Sequence, residues 1–205
     1  MKKRQLIVIH GGDFYESRQK FFAALKKEGI EKEDLLPVGT KRWKDNLQSD
    51  LGEGFEVLAP KMPLAIHARY EEWKVWFDKA LKFAEDGVTL VGHSLGGIFL
   101  ARYLSENALP VRARALYLVA PYFSQKDKGA DAISGWVLPK SLRRLENQVP
   151  KVSIYQSEDD KVVPLSHARR YAKLLPKAKL VIFKEGGHFR QEHFPELVRD
   201  IKSLV

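Results

Sequence analysis

Residues 88–98 read Val-Thr-Leu-Val-Gly-His-Ser-Leu-Gly-Gly-Ile, and Gly92-His93-Ser94-Leu95-Gly96 fits the pattern Gly-x-Ser-x-Gly. The flanking residues give the pentapeptide its meaning. Val88 to Val91 form a short apolar run of the kind buried on both faces of a sheet, and Ile98 to Leu104 read as the start of a buried helix. A serine on the sharp turn between two such elements is pushed past the edge of the sheet, where a base can reach its hydroxyl. The glycines suit a tight turn against which neighbouring backbone packs.

A serine hydroxyl near neutral pH is a poor nucleophile. It needs a base, and the base needs an acid to orient it. After a strand–turn–helix serine the expected order along the chain is Ser, then Asp or Glu, then His. Two later loops arrive in that order. The run Val152-Ser153-Ile154-Tyr155 leads into Gln156-Ser157-Glu158-Asp159-Asp160-Lys161-Val162-Val163-Pro164, and Leu180-Val181-Ile182-Phe183 leads into Lys184-Glu185-Gly186-Gly187-His188-Phe189. Asp160 is the preferred acid, because Asp160-Lys161-Val162-Val163-Pro164 fits Asp-x-x-Val-Pro, whose proline and apolar pair anchor the loop. Asp159 and Glu158 stand close behind it, with turn formation or capping as their ordinary roles.

His188 is the preferred base, since two glycines after a strand let it turn toward the sheet edge. His193 reads as a surface or capping residue. His10 and His93 lie inside motifs and point into the support around the turn, while His67 and His167 sit near helix starts. No histidine is paired at zinc-ligand spacing, so no metal and no cofactor are expected. Two backbone N–H groups should stabilise an oxyanion: that of Leu95, at a helix N-terminus, and that of Gly12 in His10-Gly11-Gly12-Asp13, with Asp13 as the alternative.

These residues must be carried by alternating elements. Strand-like runs cover 5–9, 55–58, 88–91, 115–119, 152–155 and 180–183; helical patterns cover 14–27, 68–84, 97–106, 165–175 and 195–204. The alternation predicts a single α/β domain over residues 1–205, with a mostly parallel sheet of about six strands and helices on both faces. Ligands of such sheets bind beyond the carboxyl ends of the strands, where Ser94 falls. Tyr70, Trp73, Trp76, Phe77 and Leu81 recur at helical spacing and are expected to form a core stripe. Residues 39–54 are polar and read as irregular. Residues 121–150 read as a short cap region, in which Trp136 and Val137 either line the substrate site or merely cover the sheet.

The composition is that of a globular chain, 44% hydrophobic and 30% charged over 205 residues. No cysteine is present, which removes disulfides, thiolate metal sites and a Cys nucleophile, and suits a reducing, cytoplasmic setting. The short run after Lys2-Lys3-Arg4 is a strand and not a secretory leader, and nothing approaches a membrane span. The net charge of +9 comes from 35 basic and 26 acidic residues. The lysines are dispersed over helix faces without a recognition motif or stacking platform, so solvated faces explain them better than nucleic acid.

The chain resembles the α/β-hydrolases, and more narrowly the small serine hydrolases grouped with retinoblastoma-binding protein 9. The likeness is carried by Ala59-Pro60-Lys61-Met62-Pro63, the Ser94 pentapeptide, Leu118-Val119-Ala120-Pro121-Tyr122, Ser134-Gly135-Trp136, Asp159-Asp160 with Pro164, and Gly187-His188-Phe189 running into Phe194-Pro195-Glu196-Leu197. Against that pattern residues 39–54 read as an insertion. The resemblance implies a compact hydrolase with a small lid or none, using Ser94, Asp160 and His188 on small ester or amide substrates. The family's Leu-x-Cys-x-Glu link to the retinoblastoma protein is not carried over, because this chain has no cysteine. Two alternatives stay open: a catalytically silent binding protein on the same frame, and an acyltransferase using the same three residues.

Overall fold

The computed structural model describes residues 2–29, 41–126 and 128–204. Six strands form one sheet: β1 (Arg4–Ile9), β2 (Phe55–Leu58), β3 (Val88–His93), β4 (Ala113–Val119), β5 (Val152–Ser157) and β6 (Lys179–Phe183). Their order is β2-β1-β3-β4-β5-β6 and every neighbouring pair is parallel. The inner strands alternate between two cores, as a sheet covered on both faces requires. In β1, Ile7 and Ile9 enter one core while Leu6 and Val8 enter the other; in β4, Leu116 and Leu118 oppose Tyr117 and Val119.

The chain leaves β1 for the edge strand β2 and returns to β3 on the other side of β1. That reversal separates the loops after β1 and β3 and opens a crevice between them. The candidate site lies there.

The helices are α1 (Arg18–Lys27), α2 (Trp43–Leu51), α3 (Tyr70–Ala80), α4 (Leu95–Glu106), α5 (Ala130–Ile133), α6 (Arg143–Gln148), α7 (Leu165–Leu174) and α8 (Pro195–Lys202). The α1 helix starts later than its apolar pattern suggested, because the Ser17 side chain accepts the Lys20 N–H and caps it there. Phe14 instead packs against Tyr122 and Trp136.

Two expectations are corrected. Residues 39–54 were expected to be irregular; residues 39 and 40 lie outside the described residues, but α2 occupies most of the remainder. Trp43, Leu47 and Leu51 recur every fourth position and are all buried. The core stripe of α3 holds Tyr70, Trp73 and Phe77, with Leu81 just beyond its end, but Trp76 is 42% exposed. It lies about 100° round the helix from Phe77, outside the buried arc, beneath Lys79.

Candidate active site

Ser94 joins β3 directly to α4 with φ 54° and ψ −116°, a conformation that disfavours a residue with a side chain. The surrounding backbone holds it there. Its N–H donates to the Val119 carbonyl at 2.8 Å, and its carbonyl accepts from Gly97 N–H at 2.9 Å and Tyr122 N–H at 3.2 Å. The glycines are required by contact. A Cβ on Gly92 would stand 2.5 Å from the Gly96 carbonyl oxygen, and one on Gly96 would collide with the carbonyls of Ile9 and His10. The turn is thus wedged between its own helix and the end of β1.

Asp160 and His188, the expected acid and base, meet from separate loops. His188 Nδ1 lies 2.8 Å from Asp160 Oδ2, with the Asp160 side chain fully buried and that of His188 8% exposed. Asp160 is held on all sides. Its Oδ1 accepts the N–H groups of Val162 (2.8 Å) and Val163 (2.9 Å), and its Oδ2 also accepts from Gln156 Nε2 at 3.0 Å. Burial pushes the Asp160 carboxyl up, but the bonds from His188, Val163 and Val162 outweigh it and hold the group below its ordinary value. This aspartate is anionic at neutral pH.

Asp159, the rival acid, faces elsewhere. Its Oδ1 accepts from Gly186 N–H at 3.1 Å, from Gly187 N–H at 2.8 Å and from the Ser157 hydroxyl. It braces the main chain that presents His188. Gly187 has φ 50°, as a turn into the imidazole requires.

Ser94 and His188 line one cavity together with His10, Gly11, Gly12 and Asp13. Among the described residues no hydrogen bond within 3.5 Å joins Ser94 Oγ to the His188 ring; such bonds are commonly long in unliganded enzymes and tighten with substrate. The Asp13 N–H donates to the Ala65 carbonyl at 2.8 Å, so it is already committed. The Gly12 N–H has no such acceptor among the described residues, and a Cβ there would stand 2.5 Å from the same Ala65 oxygen. Leu95 opens α4, where the first N–H groups have no partner within the helix.

His10 and His93 act as support. His10 Nε2 accepts from Met62 N–H at 2.9 Å while its Nδ1 donates to Gly11 O at 2.6 Å, fixing the loop after β1. His93 is buried and its Nε2 donates to the His188 carbonyl at 2.9 Å. Its Nδ1 accepts from Lys44 Nζ at 3.0 Å. Burial first, then the Lys44 charge, pushes the His93 imidazole well below its ordinary value, so it is a neutral donor–acceptor link. Lys44 comes from α2 and was not foreseen as part of the site. Trp43 binds the same region: its backbone N–H donates to Gln191 O at 2.8 Å and its Nε1 to Phe189 O at 2.9 Å.

Of the two alternatives left open for Trp136 and Val137, lining the substrate site or covering the sheet, the surroundings of Trp136 favour the second. Trp136 is fully buried against Tyr70 and Trp73, and its Nε1 donates to Ala68 O at 3.2 Å. Neither residue borders the Ser94 cavity, whose apolar wall is Ala65, Ile66 and Val162. His193 is at the surface, 2.9 Å from Asp50 Oδ2. His167 Nδ1 accepts the Phe123 N–H at 2.9 Å, and His67 stacks on Phe21.

The profile of the Serine hydrolase family matches residues 37–196. Serine hydrolase RBBP9 of Rattus norvegicus is 30% identical over 171 residues, covering 82% of this chain and 89% of that protein. Among solved structures, the ydeN gene product of B. subtilis superposes with a TM-score of 0.70 at 21% identity, covering 98% of each chain. A serine hydrolase involved in carbazole degradation, the CarC enzyme, superposes with a TM-score of 0.60 at 18% identity, covering 99% of this chain and 91% of that one. Among the described residues no helix is long and apolar enough to cross a membrane.

Proposed function

The chain belongs to the serine hydrolase family and is a hydrolase, and on that premise we propose that it cleaves small ester or amide substrates through an acyl-enzyme on Ser94. The observation that carries this reading is the 2.8 Å contact between His188 Nδ1 and Asp160 Oδ2, on a histidine that lines the same cavity as Ser94. With Nδ1–H donating to the carboxylate, Nε2 is the basic nitrogen. It takes the Ser94 proton as Oγ attacks the carbonyl, and Asp160 stabilises the imidazolium that forms. The N–H groups of Leu95 and Gly12 hold the oxyanion of the tetrahedral intermediate. His188 then protonates the leaving group, and water attacks the acyl-Ser94 ester with His188 again as base.

A fluorophosphonate probe tests the nucleophile. The wild type should label, Ser94→Ala should not, and labelling that persists in Ser94→Ala overturns the assignment. Replacing His188 by Ala should lower turnover about a thousandfold or more, because the three residues act as a unit.

A further inference from the structure

The cavity beside Ser94 mixes apolar and cationic lining. Ala65 adjoins Gly12, with Ile66 beside it, and Val162 follows Asp160, the partner of His188; Arg42, Lys44 and Arg190 line the same cavity and are tied to the segment that carries His188. The three cations are brought there by different means. Arg190 follows His188 by two residues. Arg42 and Lys44 flank Trp43, whose two N–H groups donate to the carbonyls of Gln191 and Phe189. Lys44 is further fixed by His93, which itself holds the His188 carbonyl. The cationic wall and the base therefore form one assembly.

Like charges gathered this way repel each other. Burial first, then the neighbouring Arg42, bring the Lys44 ammonium down to about 8, opposed in part by Asp45, with Arg190 adding the smallest contribution. Among the described residues none of the three cations has a carboxylate within the 4.0 Å of an ion pair. Asp13 lines the cavity too, on the loop after β1. A half-buried ammonium with two guanidinium groups beside it is favoured by an anion placed among them.

Resting on the acyl-enzyme reading above, we propose that this site selects substrates whose leaving group carries a carboxylate, bound by Arg42, Lys44 and Arg190. The side follows from the chemistry. The leaving group must depart next to His188, which returns the proton, and the cations are tied to the segment that carries His188. Two guanidinium groups match a planar carboxylate better than a point charge would. The reaction itself is unchanged: the Ser94 Oγ–acyl bond forms, the ester C–O bond breaks, and the departing oxygen takes the proton from His188.

The test compares 4-carboxyphenyl butyrate with its methyl ester, and p-nitrophenyl hemisuccinate with p-nitrophenyl butyrate, in the wild type and in the double variant Arg42→Gln/Arg190→Gln. The readout is the ratio of kcat/KM for the charged over the neutral member of each pair, which cancels intrinsic reactivity when enzymes are compared. The leaving-group ratio should fall about tenfold in the double variant. In the wild type it should fall as salt is raised, a measurement independent of any substitution. An equal leaving-group ratio in both enzymes and no salt dependence overturns the proposal, as does a charge preference confined to the acyl-side pair. If either occurs while fluorophosphonate still labels Ser94, only the selectivity falls. If the wild type neither labels nor turns over any of the four esters, the acyl-enzyme reading falls with it.

Discussion

The carboxylate of Asp159 accepts the N–H of Gly187 at 2.8 Å, one residue before the imidazole that adjacent Asp160 orients through its own carboxylate. Two neighbouring acids thus serve one histidine in different ways, one through the ring and one through the main chain. Asp160→Asn should lower kcat by about ten-thousandfold, as an amide cannot stabilise the imidazolium and favours the wrong tautomer. Asp159→Ala should cost less, and Asp159→Asn should restore most of the loss, because an amide oxygen still accepts the Gly186 and Gly187 N–H groups. Kinetics of the three variants on one neutral ester check this; a failure of Asp159→Asn to recover activity contradicts a bracing role.

The elbow makes a prediction about stability. Gly96→Ala forces a methyl into the carbonyls of Ile9 and His10, where backbone cannot yield. The expected cost is above about 3 kcal/mol, since strain and overpacking add. For a domain of this size each kcal/mol lowers Tm by about 2–4 °C. Thermal unfolding of the variant should show a drop of that order or fail to show a folded protein; a Tm equal to the wild type is the contrary result.

Trp136→Ala should behave as a core lesion and not as a pocket change. Removing a fully buried indole costs about 3–5 kcal/mol. Denaturant unfolding should record that loss, while the folded variant keeps the relative rates of the wild type across a series of ester chain lengths. A shifted chain-length preference at unchanged stability would return Trp136 to the substrate site.

The carboxylate preference should depend on pH through Lys44. Its charged form is disfavoured in the folded protein, so the proton is lost near 8 and not in the ordinary lysine range. Below that value the cationic wall is complete; above it, one charge is gone while Arg42 and Arg190 persist. The groups facing Lys44 are Arg42 and Asp45 on α2, His93 at the end of β3, Arg190 after β6 and His10 after β1. The leaving-group ratio of kcat/KM, which reports the free enzyme, should therefore decline as pH rises through about 8. Titration of the triad affects both esters alike and cancels. In Lys44→Met the ratio should start lower and stay flat, and a flat profile in the wild type contradicts the role given to Lys44.

What could be read from the chain was what is written locally. A β-branched run, two glycines and a helix start mark the Ser94 turn, and two loops in the right order mark where Asp160 and His188 meet. The parallel sheet follows from the same alternation. The choice between Asp159 and Asp160 is not local in that sense: both sit on one turn, and only the direction of the loop decides which carboxylate meets the ring. The α2 helix was missed because Trp43, Leu47 and Leu51 are separated by Lys, Asp, Asn, Gln and Ser, so polarity hid a regular spacing. Trp136 was left between two readings for a different reason, since an indole in a connecting segment has the same pattern whether it faces a ligand or a core. The Lys44–His93 bond joins residues 49 positions apart and leaves no trace in either neighbourhood.

Trp43 clasps the segment after β6 with both of its N–H groups. The indole keeps that segment in register, while Lys44 reaches it a second time through His93. An edit at Lys44 is therefore felt at the support of His188 as well as in the charge of the cavity, so a laboratory or a lineage retuning that charge would meet the least resistance at the exposed Arg42 and Arg190.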